Sequence, residues 1–220
     1  ISNMFLNDGD VIMQTQEKDA DPNKIVASAS EFGDFKITEP TVLLVDEGSA
    51  SASEIVAGAL QESSEIPLVG TTTFGKGTVQ TVYPLTENSE LKLTVAKWLT
   101  PNGNWIHEKG IAVDYEVALP EYATLTIIDS TATYEEGTVS EEVKNVEAML
   151  NAIGYAVEAD GYYDEDTAEQ VASFQAANEL ETTGIVTGDT ALAIVEQLRE
   201  VLTENDTQYD KAVEILMGNE

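Results

Sequence analysis

The pattern of apolar residues changes near Pro120, and this change constrains the fold more than any other feature of the sequence. Before Pro120, short strand-like runs dominate, at residues 41–46, 68–70, 80–83 and 91–99. After Pro120, apolar residues recur at helical spacing instead. We therefore expect an α+β chain, in which an α/β layer with a mixed sheet precedes a small bundle of three helices.

The first half predicts a β-α-β-β order of elements. The apolar run at 42–45 does not alternate with polar residues, which is typical of a central strand buried on both faces. Residues 52–61 follow with small apolar side chains at helical spacing, and Ser51 stands where a helix cap is expected.

The second half is expected to be helical at 140–153, 166–178 and 188–202, with a further amphipathic stretch at 206–217 that docks back on the protein. These patterns predict four segments. They are a first domain at 1–128, a linker at 129–138, a bundle at 139–203 and a C-terminal helix at 204–220.

The charge and the missing residue types exclude several classes of function. A net charge of -31 disfavours binding to nucleic acids or anionic membranes through a basic face. With one His and no Cys, the chain lacks the usual ligands of zinc and iron–sulfur sites, and we expect neither a metal nor another cofactor. The sequence begins with Ile1 rather than Met, and its first residues lack the basic segment of a signal peptide. We therefore expect the sequence to begin inside a longer protein.

Residues 46–54 form a hydroxyl-rich turn between a predicted strand and a predicted helix. A serine in this turn lies near a helix N-terminus, where free N–H groups favour developing negative charge. A serine in this position is suited to act as a nucleophile. Spacing alone favours an ordinary helix cap, because serine is a preferred residue at that position.

Residues 70–80 form a glycine-rich segment around Lys76. Gly75 and Gly77 flank the lysine, and Gln80 would lie beside it in a helical turn. The segment lacks the phosphate-loop pattern, because Lys76 is followed by glycine rather than Ser or Thr. Taken alone, the segment is better explained as a turn with a solvated lysine.

The two segments together indicate a Ser–Lys hydrolase. A lysine that acts as a base must be neutral, which requires burial and the absence of nearby carboxylates. In this acidic chain, residues 66–86 contain no Asp or Glu. The setting of Lys76 therefore matches what that chemistry needs.

Several motifs of the first half resemble the C-terminal processing peptidases. They are Ser49-Ala-Ser-Ala-Ser-Glu-Ile55, Gly70-x3-Phe-Gly-Lys-Gly-x-Val-Gln80, Leu93-Thr-Val-Ala, Thr100-Pro-Asn-Gly103 and Gly110-Ile111. The resemblance implies a bacterial, extracytoplasmic serine endopeptidase with a crotonase- or Clp-protease-like core that cleaves proteins near their C-termini. It also implies that Ser51 is the nucleophile, Lys76 the general base and Gln80 its hydrogen-bonding partner, with the Ala52 N–H as an oxyanion donor.

The chain departs from this family in two respects. Val113 stands before Asp114 where the family has proline. Family members also carry a helical region, a PDZ domain and a glycine-rich strand end before the segment that begins here, and the strand end supplies a second oxyanion donor. The alternative is therefore a non-catalytic, wall-binding protein with an inert peptidase fragment.

The second half resembles the peptidoglycan-binding domains over about residues 139–202. The motifs are Val143-x2-Val146-x2-Met149-Leu150-x3-Gly154-Tyr155, Asp160-Gly161-Tyr162-Tyr163-x3-Thr167, Phe174-Gln175 and Gly184-x-Val186-x3-Thr190. This resemblance implies a three-helix bundle with peptidoglycan as a partner beside the protein substrate. Tyr162, Tyr163 and Gln175 are candidates for a sugar or peptide groove, although core packing also explains a tyrosine there.

Two weaker hypotheses concern other residues. His107 could form a triad with Ser51 and Asp114, but a surface loop after Trp105 is the better explanation of this histidine. Asp8, Asp10, Asp19 and Asp21 lack the spacing of a calcium loop. The oligomeric state is left open, with a dimer as one alternative.

Overall fold

The computed structural model describes residues 1–218, and its contacts divide the chain into two compact units. The first unit contains residues 1–118 together with the chain from Thr207 onward, and the second contains residues 119–206. The second unit is thus an insertion in the first along the chain. Within the described residues, no helix is long and apolar enough to span a membrane.

The first unit contains two sheets, α-helices and a 3₁₀ turn at Ser2–Met4. The strands are β1 (Val11–Glu17), β2 (Asn23–Val26), β3 (Leu43–Val45), β4 (Leu68–Gly70), β5 (Thr78–Thr86), β6 (Ser89–Leu99) and β7 (Tyr115–Glu116). The helices are α1 (Ala29–Phe32), α2 (Ala52–Ser64) and α6 (Thr207–Leu216). The α+β class is confirmed, and each strand-like run of the sequence contains a strand.

The strands form two separate sheets rather than the single mixed sheet expected from the sequence. One sheet is antiparallel, in the order β2-β1-β6-β5, and the other is parallel, in the order β3-β4-β7. A helix, α2, connects the parallel pair β3 and β4, whereas two residues connect the antiparallel pair β5 and β6. The lengths of these connections account for the directions of the strands.

The prediction that residues 42–45 form a central strand is wrong. Strand β3 lies at the edge of the parallel sheet, and Leu44 is 41% exposed. The central strand is β4, where Leu68 and Val69 are fully buried. The main core between the elements contains Met13, Val45, Ala57, Leu68, Trp98, Ile106 and Ile111.

Helix α6 packs on β3 and β4, so the segment predicted to dock back docks on the first unit. The buried Gln208 donates from Nε2 to the Val117 carbonyl at 3.0 Å, and Thr207 Oγ1 donates to the Ala118 carbonyl at 2.8 Å. Lys211 Nζ lies 5.3 Å from the centre of the Tyr115 ring. Because parallel sheets need cover on their faces, this helix contributes to the stability of the sheet.

The second unit is a bundle of α3 (Glu141–Ala152), α4 (Glu165–Ala177) and α5 (Gly188–Glu204), with a 3₁₀ turn at Glu121–Thr124. Side-chain caps begin two of the helices. Ser140 Oγ accepts the Val143 N–H at 3.1 Å, and Asp164 Oδ1 accepts the Thr167 N–H at 2.8 Å. The fully buried core residues include Val143, Val146, Leu150, Val171, Phe174 and Ile194.

The structure departs from the predicted boundary between the two halves. Residues 119–138 pack with the bundle, and Ile128 and Tyr134 belong to its core. The Tyr134 N–H donates to the Val186 carbonyl at 2.9 Å, and the Val186 N–H donates back. Residues 129–138 are therefore part of the second unit, because Tyr134 within this polar stretch and Ile128 just before it belong to the core of the bundle.

Candidate active site

A cleft of about 470 Å³ in the first unit brings together the three side chains that the sequence analysis singles out. Its lining residues are Met13, Thr15, Ser51, Ile55, Lys76, Thr78, Val79, Gln80, Lys92 and Trp98. The volume lies within the range of ligand-binding clefts. The lining contains two lysines and no acidic residue.

Ser51 lies on a sharp turn between β3 and α2 and has a strained backbone. Its φ is 56° and its ψ is -110°, which is an uncommon conformation for any residue except glycine. Such a conformation costs roughly 1–3 kcal/mol and is found mainly where the surrounding structure enforces it, often at active sites. In α/β-hydrolases, a strained turn from strand to helix exposes the nucleophilic serine.

Neighbouring side chains build the turn that holds Ser51. Ser49 Oγ donates to Asp46 Oδ1 at 2.9 Å and accepts the Asp46 N–H at 3.1 Å. The Ser49 carbonyl accepts the Phe74 N–H at 3.0 Å, which joins the serine turn to the segment before Lys76. The turn is thus fixed from both sides.

The backbone around Lys76 is held by hydrogen bonds along its length. The Lys76 carbonyl accepts Trp98 Nε1–H at 2.8 Å, and the Gly77 carbonyl accepts Trp105 Nε1–H at 2.9 Å. The Gly75 carbonyl accepts the Glu108 N–H at 2.9 Å. These bonds fix the start of the lysine side chain before any substrate binds.

The glycines on either side of Lys76 are required by close backbone contacts. A Cβ atom on Gly75 would lie 2.8 Å from the Gly110 nitrogen, and the φ of Gly75 is +91°. A Cβ atom on Gly77 would lie 2.7 Å from the His107 nitrogen. The segment at 105–110 therefore packs directly against the lysine loop.

Glu54 connects the serine turn to the lysine loop, a role that was not predicted from the sequence. It lies in the first turn of α2 and is fully buried. Its Oε1 accepts Thr73 Oγ1–H at 2.6 Å and the Gly75 N–H at 2.7 Å. Its Oε2 accepts the Ser51 N–H and the Lys76 N–H, each at 2.8 Å.

One carboxylate oxygen thus joins the backbones of both predicted catalytic residues. A signal for this role was present in the sequence, because Glu54 is the only acidic residue in the predicted helix at 52–61. An acid among small apolar side chains on a buried helix needs buried donors. The identity of those donors could not be read from the sequence.

Gln80 lines the cleft from strand β5, so the expectation that it follows Lys76 in a helical turn is wrong. Its Nε2 lies 3.5 Å from Thr94 Oγ1 on the paired strand β6. Within residues 1–218, no hydrogen bond joins the side chains of Ser51, Lys76 and Gln80. Catalytic hydrogen bonds are often long without substrate and tighten when it binds.

Ala52 is the first residue of α2, next to Ser51. Its N–H makes no hydrogen bond to any of the described residues, as is usual at a helix N-terminus. It is thus free to donate a hydrogen bond to a group that lies beside Ser51.

The alternative triad is absent from the structure. His107 Nδ1 lies 3.2 Å from the Gly75 carbonyl, and its ring lies 5.3 Å from that of Trp105. Asp114 Oδ2 accepts the Leu68 N–H at 2.8 Å and Gln61 Nε2–H at 3.1 Å. Neither residue lines the cleft of Ser51.

Two of the three candidates for wall binding lie inside the bundle and cannot line a surface groove. Tyr163 is fully buried, its hydroxyl donates to the Gly184 carbonyl at 2.8 Å, and burial raises the pKa of that hydroxyl. Gln175 is 1% exposed, and its amide bonds to Thr183, Gly184, Ile185 and Thr190. Tyr162 is 48% exposed and remains a candidate.

Comparisons with known proteins match both halves of the chain. Residues 1–117 match the model of peptidase family S41, and residues 139–194 match that of a putative peptidoglycan binding domain. The carboxy-terminal processing protease CtpA of Bacillus subtilis (strain 168) is 47% identical over 216 residues, which are 98% of this chain and 46% of that protein.

Two further proteins are similar to this chain. A probable CtpA-like serine protease of Staphylococcus aureus (strain N315) is 37% identical over 98% of this chain and 43% of its own length. A solved photosystem II D1 C-terminal processing protease is 33% identical over 54% of this chain and 31% of its own, with a TM-score of 0.48. The chain thus spans less than half the length of the curated relatives.

Proposed function

Since the chain belongs to peptidase family S41, we propose that it carries the Ser–Lys site of a serine endopeptidase that cleaves proteins near their C-termini. The observation that carries this proposal is the cleft where a strained Ser51 and Lys76 meet Gln80. The CtpA relative, named a carboxy-terminal processing protease, supports the position of the cleavage.

The proposed reaction begins when Ser51 Oγ attacks the carbonyl carbon of the scissile peptide bond and Lys76 Nζ takes the hydroxyl proton. The negative charge on the carbonyl oxygen is stabilised by the Ala52 N–H at the start of α2. The C–N bond then breaks, and Lys76 returns the proton to the leaving amine. Water hydrolyses the acyl-enzyme, with Lys76 again as the base and Gln80 orienting its amine.

Proteolysis of a protein with an unstructured C-terminal tail tests this proposal, in the full-length protein that contains this sequence. We expect cleavage in the tail and its loss in the Ser51→Ala variant, whereas Ser53→Ala, two residues along α2, retains it. Absence of cleavage in the unchanged protein, or unchanged cleavage by Ser51→Ala, would instead support the inert alternative.

For the second unit, we propose binding to peptidoglycan, which places the protein on the outer side of the cytoplasmic membrane. The match of residues 139–194 to a peptidoglycan-binding family supports this proposal. The exposed ring of Tyr162 offers a flat surface for a sugar. Sedimentation with purified peptidoglycan tests it, and Tyr162→Ala should bind less than Tyr162→Phe, which retains the ring.

A further inference from the structure

The cleft contains a second lysine, Lys92, which the proposed mechanism does not use. Lys92 lies on β6, and its backbone pairs with Val82 on β5. In the same ladder, Thr94 pairs with Gln80. Because side chains two residues apart share a face of a strand, Lys92 and Thr94 project toward the same side of the hairpin.

The surroundings of Lys92 are unusually poor in acids for this chain, which has 41 acidic and 10 basic residues. From Ile66 to His107, the sequence contains three lysines and only two acids, Glu87 and Glu90. Both acids lie near the tip of the β5–β6 hairpin, and neither lines the cleft. Among the described residues, no carboxylate lies within 4.0 Å of Lys92 Nζ.

An exposed lysine without a partner is common on protein surfaces, but its position on the cleft wall gives this one a use. The net charge of -31 opposes the approach of any anionic peptide. A positive charge within the cleft attracts a carboxylate of the peptide locally, despite the negative charge of the rest of the chain. An ammonium group on a flexible stem can adjust to carboxylates at different distances.

We propose that Lys92 is a specificity-determining residue that binds a carboxylate of the substrate peptide. The inference rests on the proposed peptidase function, in which a cut near the C-terminus brings the terminal carboxylate close to the cleft. An acidic side chain of the peptide offers the same chemistry. Lys92 takes no part in the exchange of protons between Ser51 and the substrate.

Peptide binding to the uncleaving Ser51→Ala variant tests this inference without requiring catalysis. The probes are a fluorescein-labelled alanine- and leucine-rich decapeptide with a free terminal carboxylate, its C-terminal amide, and an amidated form with one internal glutamate. Fluorescence anisotropy is measured with Lys92 and with Lys92→Gln. The control is Lys24→Gln on the exposed strand β2, which removes the same charge away from the cleft.

We expect Lys92→Gln to weaken binding of the free-acid peptide about tenfold, as for loss of one charge-assisted hydrogen bond. Binding of the amide should not change, and Lys24→Gln should change neither by more than about twofold. If only the glutamate peptide loses affinity, Lys92 binds an acidic side chain, which also supports the proposal.

The assignment would be overturned if the protein with Lys92 bound all the peptides equally or bound none detectably. It would also be overturned if Lys92→Gln weakened binding of the free-acid peptide and of its amide equally. If Lys92→Gln shifted the pH profile of kcat and left the preference for carboxylates unchanged, Lys92 would instead influence the protonation of Lys76. That result would also overturn the assignment. Failure of the peptidase proposal is recognised separately, because the unchanged protein would then show no cleavage that depends on Ser51.

Discussion

The two units each bury one glutamate completely, and the two side chains are used differently. Glu54 of the first unit accepts four hydrogen bonds, three of them from backbone N–H groups of Ser51, Gly75 and Lys76. Glu147 of the second unit accepts the Gly161 N–H at 2.9 Å and lies 3.5 Å from Thr167 Oγ1. Neither forms an ion pair within the described residues.

The difference shows that burial of an acid does not by itself identify a catalytic site. Glu54 joins two loops whose side chains line a cleft, so it positions the groups that we propose to react. Glu147 lies in α3 and accepts the N–H of Gly161, whose φ is +87°, so it binds the turn at Gly161 to the first helix of the bundle. Burial raises the pKa of Glu147, with smaller contributions from Asp160 and Asp164.

The largest effect is expected from Glu54→Gln. An amide presents a donor where the carboxylate accepts N–H groups, so the serine turn and the lysine loop should separate. We expect kcat/KM to fall at least about 100-fold, because small displacements of catalytic groups have effects of this size. Glu147→Gln is the matched control and should retain activity within about twofold.

Circular dichroism distinguishes this positioning role from general unfolding. A folded Glu54→Gln variant with normal activity would show that the shared carboxylate is not needed to place Ser51 and Lys76. Glu54→Asp keeps the charge but shortens the side chain. Its activity should exceed that of Glu54→Gln but stay below that of the unchanged protein.

The second unit should respond to Gln175→Ala with a loss of stability and no change of chemistry. The substitution leaves the Thr183 N–H and the buried Gly184 N–H without their acceptor. We expect the free energy of unfolding of this unit to fall by about 2–4 kcal/mol. Chemical denaturation measures this change, and Glu169→Ala, exposed on the same helix, should change it by less than about 0.5 kcal/mol.

A smaller effect on activity is expected from Trp98→Phe. Phenylalanine keeps most of the buried ring but cannot donate to the Lys76 carbonyl. Loss of one such bond costs about 0.5–1.5 kcal/mol, so kcat/KM should fall roughly 3- to 10-fold. Steady-state kinetics measure this effect, and a fall as large as that of Glu54→Gln would show that the tryptophan, rather than the carboxylate, dominates the positioning.

The smallest effect concerns pH. A raised pKa in the folded state means that folding favours the protonated form of Glu147. Its contribution to stability is thus complete below the ordinary pKa of 4.5 and is lost as pH rises through the folded-state value. Unfolding of the unchanged protein and Glu147→Gln across this range should show the unchanged protein losing stability relative to the variant, and a constant difference would contradict this.

Sequence periodicity predicted the three helices of the bundle well, because they carry regular apolar stripes. It did not reveal β1, β2 or β7, which are short or partly polar. The edge position of β3 was also hidden, because the pairing of strands depends on contacts far apart in sequence.

Within the candidate site, Ser51, Lys76 and Gln80 were predicted from the resemblance of their motifs to a known family. The hydrogen bonds that hold them were not, since Glu54, Trp98 and Trp105 reach the loops through backbone atoms. Their partners carry no side-chain signature. The strained φ of Ser51 likewise follows from the turn rather than from residue type.

Covalent labelling with a serine-reactive fluorophosphonate tests most directly whether Ser51 and Lys76 form one working site. The labelled residue is identified by mass spectrometry in the full-length protein that contains this sequence. We predict that Ser51 alone is modified, and that Lys76→Ala and Glu54→Gln each slow the labelling at least about 100-fold. Modification of a different residue, or labelling of Ser51 that is equally fast without Lys76, would contradict the account.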